Sequence, residues 1–211
     1  MRYIPKIDDK EIKDNQGHFK ERVSLYKKKG LDLLGSRRLI FEKAGPLEGS
    51  ILEIGCGNGY ASIVLAESGY DFVAVDPDQE SLKTTALNLA SRNLLRRVTL
   101  YAMDGKAMTF ANKSFDNIIM IGLMHHVFEA DEMFLETDRV LNQDGLLIIA
   151  DFNEKGMQII DSVHREEGRT HEKSETGKDY AYTFFHKLGY EVENFQDDCH
   201  WALICQKRIK P

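Results

Sequence analysis

The sequence predicts a doubly wound α/β sandwich, with a mostly parallel sheet covered by helices on both faces. Short, continuous apolar runs alternate with segments of helical period: ILEI at 51–54, FVAV at 72–75, VTLY at 98–101, NIIMI at 117–121 and LLIIA at 146–150. Strands buried on both faces of a parallel sheet read this way, because neither side of the strand meets water. Glu53, Asp76, Asp104, Ile121 and Asp151 all fall at or near the carboxyl ends of these runs. That edge is where doubly wound sheets bind ligands.

The elements follow in chain order. Residues 1–16 are polar and without clear period, so an extended arm is expected. Phe19, Val23 and Tyr26 fall at helical spacing, and Leu39, Ile40 and Phe41 form a second apolar group, which predicts two helices broken near Gly30 or Gly35. GPLEGS interrupts the chain before the first strand. Asn58 is placed to cap a helix running to about Ser68, where Gly69 stops it. Asp78 is placed to cap the next helix, whose Leu82, Ala86, Leu89 and Ala90 make one stripe. Asp131 starts a helix to about Leu141, and NQDG then turns the chain into the fifth run. The segment 153–176 is charged and carries one short apolar group at Ile159 and Ile160, so it reads as a polar cover rather than core. YAYTFFHKLGY reads as a helix ended by Gly189, and VENF with WALICQK as a closing pair of strands.

At 211 residues the chain has room for one domain with a large core. The expected organisation is an arm and helices over 1–45 that cover the site, a ligand-binding domain over 46–211, and a lid insertion at 153–180. A net charge of −6 gives no basic field to draw nucleic acid or anionic lipid. The run at 27–29 and the pair Arg37 and Arg38 read as a solvated helix face. Cysteines at 56, 199 and 205 lack zinc or disulfide spacing, so a reducing cytoplasm is expected. No run approaches the roughly 18 apolar residues of a membrane span.

The stretch EIGCGNG, Glu53–Gly59, names a ligand class. Glycines at 55, 57 and 59 remove three Cβ atoms from a strand-to-helix turn, so a ligand can approach the backbone. A dinucleotide fingerprint needs Gly or Ala at its last position, and here Tyr60 stands there. Glu53 would repel a diphosphate, yet it would attract an ammonium or sulfonium group. Asp76 either shapes its turn or takes a ribose diol, since a carboxylate can accept from both hydroxyls.

With FVAVDPD, YAMDG and SFDNIIMIGLMHHV in order behind it, this turn resembles the first motif of the class I S-adenosylmethionine-dependent methyltransferases. The resemblance runs from about Ile51 to Asp151. It implies a Rossmann-like sheet of seven strands with the last antiparallel, and S-adenosylmethionine as cofactor, leaving as S-adenosylhomocysteine. The turn would meet the methionine and ribose through Glu53, Gly55, Cys56, Gly57 and Gly59. Asp76 with Pro77 would hold the ribose, and Asp104 with Gly105 the adenine, while Ile121 would line the fourth-strand exit. Amino-group methyltransferases often show an NPPY-like tetrapeptide at that exit. IGLM at 121–124 departs from it, which argues against that chemistry; the acidic composition offers no basic docking surface, so a small-molecule acceptor is expected, with RNA or protein acceptors, or a non-catalytic cofactor-binding module, as the alternatives.

Methyl transfer from a sulfonium needs alignment above all, and a base only where the acceptor is a hydroxyl. His126 is the first candidate base and Asp151 the second. His125 is expected to pack away from the acceptor, since neighbouring side chains point to different sides. His164, Glu166, Glu167, His171 and Glu172 read as a solvated lid rather than a metal site, and no metal is expected.

Overall fold

The computed structural model describes residues 1–168, 174 and 176–208. His171 and Glu172 of the charged cluster lie outside them. The chain runs β1 (Arg2–Tyr3), α1 (Asp9–Lys28), α2 (Leu33–Ala44), β2 (Ile51–Ile54), α3 (Tyr60–Glu67), β3 (Phe72–Asp76), α4 (Gln79–Ala90) and β4 (Val98–Ala102). It continues with β5 (Phe115–Ile121), α5 (Ala130–Val140), β6 (Leu141–Phe152), α6 (Glu154–Glu166), α7 (Lys178–Lys187), β7 (Glu191–Gln196) and β8 (His200–Gln206).

The strands form one sheet in the order β1-β4-β3-β2-β5-β6-β8-β7. The pairings among β2 to β6 are parallel, and β8 lies antiparallel between β6 and β7. The order reverses between β2 and β5, the crevice that an open α/β sheet offers to a ligand. The sheet has eight strands where seven were expected. Arg2 and Tyr3 pair antiparallel with Tyr101 and Leu100, and the Met1 amine donates to the Ala102 carbonyl at 3.1 Å. Two residues joined by backbone bonds alone leave no hydrophobic period to read.

Alternation of faces explains the continuous apolar runs. Ile118 and Met120 pack into one core cluster with Phe134 and Phe185, whereas Ile119 and Ile121 pack into another with Ile40 and Leu82. A third cluster joins Tyr26, Leu31, Leu33, Phe152, Ile160 and Val163 from α1, α2, the end of β6 and α6. Polar caps fix the helix starts. Asp8 and Glu11 make a reciprocal capping box on α1, and Asp32, Asp78 and Asn153 accept from first-turn amides of α2, α4 and α6.

Several local expectations change. The break between α1 and α2 falls at Gly30, while Gly35 lies inside α2. Gly59, not Asn58, is the cap residue of α3, in the left-handed region at φ +74°. The Asn58 carbonyl instead accepts from Asn88 at 2.8 Å. Residues 142–145 bulge out within β6 rather than ending it. The charged segment after β6 begins as a regular amphipathic helix, α6, with Gly156, Ile160 and Val163 buried. Among the described residues, no helix is long and apolar enough to cross a membrane.

Candidate active site

A cavity of about 590 Å³ opens over the carboxyl ends of β2 to β6. Its wall is begun by the Gly55–Gly59 turn, which the Gly55 amide ties to the Val75 carbonyl at 2.8 Å. A side chain at Gly55, where φ is +74°, would run into Leu123, so this approach of backbone to cavity needs glycine. Glu53, Gly55, Cys56, Gly57, Asp76, Pro77, Asp104, Gly105, Ile121 and His126 all line the cavity. Gly59 and Asp151 do not. Gly59 faces α4, where an added Cβ would sit 3.1 Å from the Thr85 Cα, so the close packing of α3 on α4 needs glycine here.

The acids of this wall differ in state. Asp76 accepts from the Gly57 amide at 2.9 Å and the Asp78 amide at 3.0 Å, yet burial raises its carboxyl above the ordinary value. Glu53 is buried and accepts from the Ser62 hydroxyl. Burial pushes its carboxyl up to about 7, although Ser62 and Arg37 favour the charged form. Asp104 stands at the exposed rim, accepting from the Lys106 amide at 2.9 Å. The Cys56 thiol is raised well above its ordinary value by burial, which keeps it protonated and inert.

The opposite wall departs from expectation. After Gly122, at φ +72°, the chain makes a 3₁₀ turn over Met124–His126, so the alternation of an extended strand does not apply. Both histidines line the cavity, their rings 4.0 Å apart. It is His125 that meets the acid: its Nδ1 lies 2.8 Å and 2.9 Å from the Asp151 oxygens, and its amide donates to Asp151 at 2.9 Å. Asp151 also accepts from the Phe152 amide at 2.7 Å and is buried behind the imidazole. It therefore holds the His125 ring and amide and does not reach the main cavity. His126 sits exposed at the mouth. Ser174 and Thr176 hold the turn from behind, their hydroxyls donating to the carbonyls of Met124 at 2.7 Å and Val127 at 3.0 Å.

The sequence reading missed Arg37. Arg38 is solvated and paired with Glu67, but Arg37 is only 3% exposed and lines the cavity. Its guanidinium lies over the rings of Tyr60 at 5.9 Å and Phe152 at 5.5 Å, with Nη1 3.0 Å from His200 Nε2. Among the described residues, Arg37 Nε and the Tyr60 hydroxyl are buried with no hydrogen-bond partner at bonding geometry. Such orphaned groups cost about 1–3 kcal/mol each unless a ligand satisfies them. The signal was present in the sequence: Leu33, Arg37, Ile40 and Phe41 share one face of α2, so the arginine stands in an apolar stripe.

The remaining wall comes from α1 and α6, through Arg22, Tyr26, Ile160 and His164. Arg22 pairs with Glu167 at 2.8 Å and Lys29 with Glu166 at 2.6 Å, which ties the two helices. Exposed pairs of this kind contribute up to ~1 kcal/mol each. Each buried Leu or Ile of the third cluster contributes about 1.5–3 kcal/mol, so apolar packing, more than charge, holds α6 in place. Among the described residues no group of three His, Cys, Asp or Glu could hold a metal.

Comparison with known proteins bears on the family. The family model described as a methyltransferase domain matches residues 52–149, spanning the glycine turn, Asp76, Asp104 and the histidine turn. Residues 52–149 are a methyltransferase domain, similar to that of the class I S-adenosylmethionine-dependent enzymes. A ubiquinone biosynthesis O-methyltransferase of Caulobacter sp. (strain K31) is 30% identical over 121 residues, covering 54% of this chain and 46% of that protein. A demethylmenaquinone methyltransferase of Renibacterium salmoninarum is 28% identical over 131 residues, 62% of this chain and 53% of that one. The chain thus spans about half the length of the curated relatives it matches. Among solved structures, one described as a candidate S-adenosyl-L-methionine-dependent methyltransferase, from Methanococcus maripaludis, superposes with a TM-score of 0.71 at 20% identity. The match covers all of this chain and 98% of that one, so the shared fold includes α1, α2 and α6.

Proposed function

We propose that this methyltransferase moves the methyl group of S-adenosylmethionine to a hydroxyl of a small, largely apolar acceptor. The observation that carries the reading is the His125–Asp151 pair beside a cavity whose facing wall holds Asp76. The donors and acceptors of that wall suit the cofactor. Each Asp76 oxygen accepts one amide and keeps capacity for a ribose hydroxyl. Asp104 and Gly105 stand where the adenine would lie. Ionised Glu53 complements an ammonium group, and the orphaned Arg37 Nε and Tyr60 hydroxyl fit a carboxylate. When bound, the cofactor supplies an activated methyl group on a positively charged sulfur.

The chain's own residues supply alignment and a base. Holding the acceptor in line can gain on the order of 7–11 kcal/mol. Asp151 at His125 Nδ1 selects the tautomer in which Nε2 takes a proton. His125 Nε2 would take the proton of an acceptor hydroxyl, and Asp151 would stabilise the imidazolium that results. The acceptor end, between Tyr26, Leu33, Phe152 and Ile160, is aromatic and apolar, and α1, α2 and α6 form its cover. The O-methyltransferase name of the Caulobacter relative supports the same chemistry. Three buried free thiols suit a cytoplasmic protein.

The test is turnover of methyl-labelled cofactor against matched panels of small phenols, amines and carbon acids. Methyl groups should appear on oxygen, and His125→Ala should lower turnover about 10²- to 10⁴-fold with cofactor affinity nearly unchanged. Label found only on nitrogen or carbon, or full activity in the His125 variant, overturns the reading.

A further inference from the structure

Burying a guanidinium is costly, and proteins ordinarily offset the cost with a carboxylate. Among the described residues no carboxylate bonds to Arg37. Its partner is an imidazole: Nη1 meets His200 Nε2 at 3.0 Å, and His200 is itself 1% exposed. The tautomer is fixed from the other side. His200 Nδ1 donates to Asp197 Oδ1 at 3.2 Å, while the same oxygen accepts the amides of Cys199 at 2.7 Å and His200 at 2.6 Å. Nε2 is thereby left as an acceptor aimed at Arg37. Burial lowers the His200 pKa, and the charge of Arg37 does so further, so the ring is neutral. Burial alone would raise Asp197, but His200 and the two amides outweigh it and hold the carboxyl at about 2.

The choice of a neutral partner has a consequence. A carboxylate at the His200 position would anchor Arg37 equally well and cancel its charge. An imidazole anchors Nη1 without a charge of its own, so the positive charge of Arg37, a residue of the cavity wall, is not cancelled by a bonded carboxylate. The guanidinium also lies over the rings of Tyr60 and Phe152, within cation–π range of both. Phe152 is in register with His200 across the β6–β8 pairing, with ring centroids 4.9 Å apart. The closing antiparallel strand therefore reaches the site through this stack.

We propose that His200 and Asp197 are positioning residues for cofactor binding, holding Arg37 charged and oriented for the carboxylate of the cofactor's amino-acid portion. This rests on the assignment of Arg37 and Tyr60 to that carboxylate. The role differs from that of the wall residues, since neither His200 nor Asp197 lines the cavity.

The test uses two ligands titrated calorimetrically into the full chain: S-adenosylhomocysteine, and methylthioadenosine, which keeps the nucleoside and lacks the amino acid. His200→Phe keeps the stack with Phe152 and removes the acceptor. It should weaken S-adenosylhomocysteine about ten- to a hundredfold, the range for losing support of one charge-assisted bond, and leave methylthioadenosine unchanged. His200→Gln, which returns an acceptor oxygen near the Nε2 position, should restore most of the affinity. If His200→Phe fails to fold, Asp197→Asn takes its place, since it keeps an oxygen for the two amides and removes the charge that fixes the tautomer. The same selective loss is expected. Unchanged S-adenosylhomocysteine affinity, or equal loss for both ligands, overturns the positioning role. A wild-type protein that binds the two ligands equally refutes the Arg37 assignment instead.

Discussion

Replacing Glu53 with Gln removes one titrating proton from the floor of the cavity and should make the protein more stable while it binds cofactor less well. In the unfolded chain this carboxyl ionises near its ordinary value of 4.5, whereas in the folded protein burial holds its proton to about 7. Between those values the native state binds the extra proton, so stability falls as pH rises through the interval. Below 4.5 the penalty is absent; above 7 it is complete. At ~1.4 kcal/mol per pH unit the full penalty is about 3 kcal/mol. Glu53→Gln keeps an acceptor for Ser62 and never ionises, so at pH 8 it should melt about 6–12 °C higher than wild type, from the size scaling for a chain of this length. At pH 4.5 the two should melt together. Thermal unfolding followed by circular dichroism across this range is the assay. On the functional side, an ammonium bound beside Glu53 favours its ionised form, so cofactor binding to wild type near pH 6 should release a proton, visible by calorimetry in two buffers. The variant should release none there. A melting difference that does not change with pH would refute the argument.

Two further substitutions separate binding from folding. Asp76→Ala should fold normally and weaken cofactor binding about ten- to a hundredfold, for loss of a charge-assisted bond of roughly 1.5–3 kcal/mol; unchanged affinity would reduce Asp76 to a turn former. Gly59→Ala should do the reverse, destabilising the fold by about 1–3 kcal/mol in urea titration, because alanine must adopt φ +74° against the Thr85 backbone. An unchanged unfolding midpoint would show that the α3–α4 contact yields freely.

The strands, the glycine turn and the acids at the strand ends were legible because each is a local pattern. Asp76 needs only its own strand and the Asp-Pro-Asp turn to be placed. What escaped depends on distant partners or on a pattern outvoted by composition. Arg37 and His200 meet across 163 positions of sequence, and neither alone announces the other. α6 was hidden by its charges, although Met157, Ile160 and Val163 recur at helical spacing after the Asn153 cap. The assignment of His126 as the inward base failed to anticipate His125 on Asp151 because it took the chain beyond β5 as extended. Gly122 and the 3₁₀ turn rotate the pair so that both rings reach the cavity.

The same distinction divides the cavity itself. Its cofactor half is built from strand ends and the turns directly following them, so its chemistry is set within segments of a few residues. The side we propose for the acceptor is built from Tyr26, Leu33, Phe152 and Ile160, side chains on four separate elements that meet in the third apolar cluster. A methyl donor presents the same sulfonium in every reaction, and a fixed, local site suits it. Acceptors differ in shape, and a wall assembled from side chains of α1, α2 and α6 can change residue by residue while Glu53, Asp76 and the glycine turn stay in place, although α1 and α2 also pack on the sheet through Phe19, Ile40 and Phe41. Arg37 is the exception that joins the halves. It stands on α2, among the residues of the cover, yet we assign its charge to the cofactor side, so any repacking of α2 that changes the acceptor wall is constrained by the need to keep the guanidinium on His200.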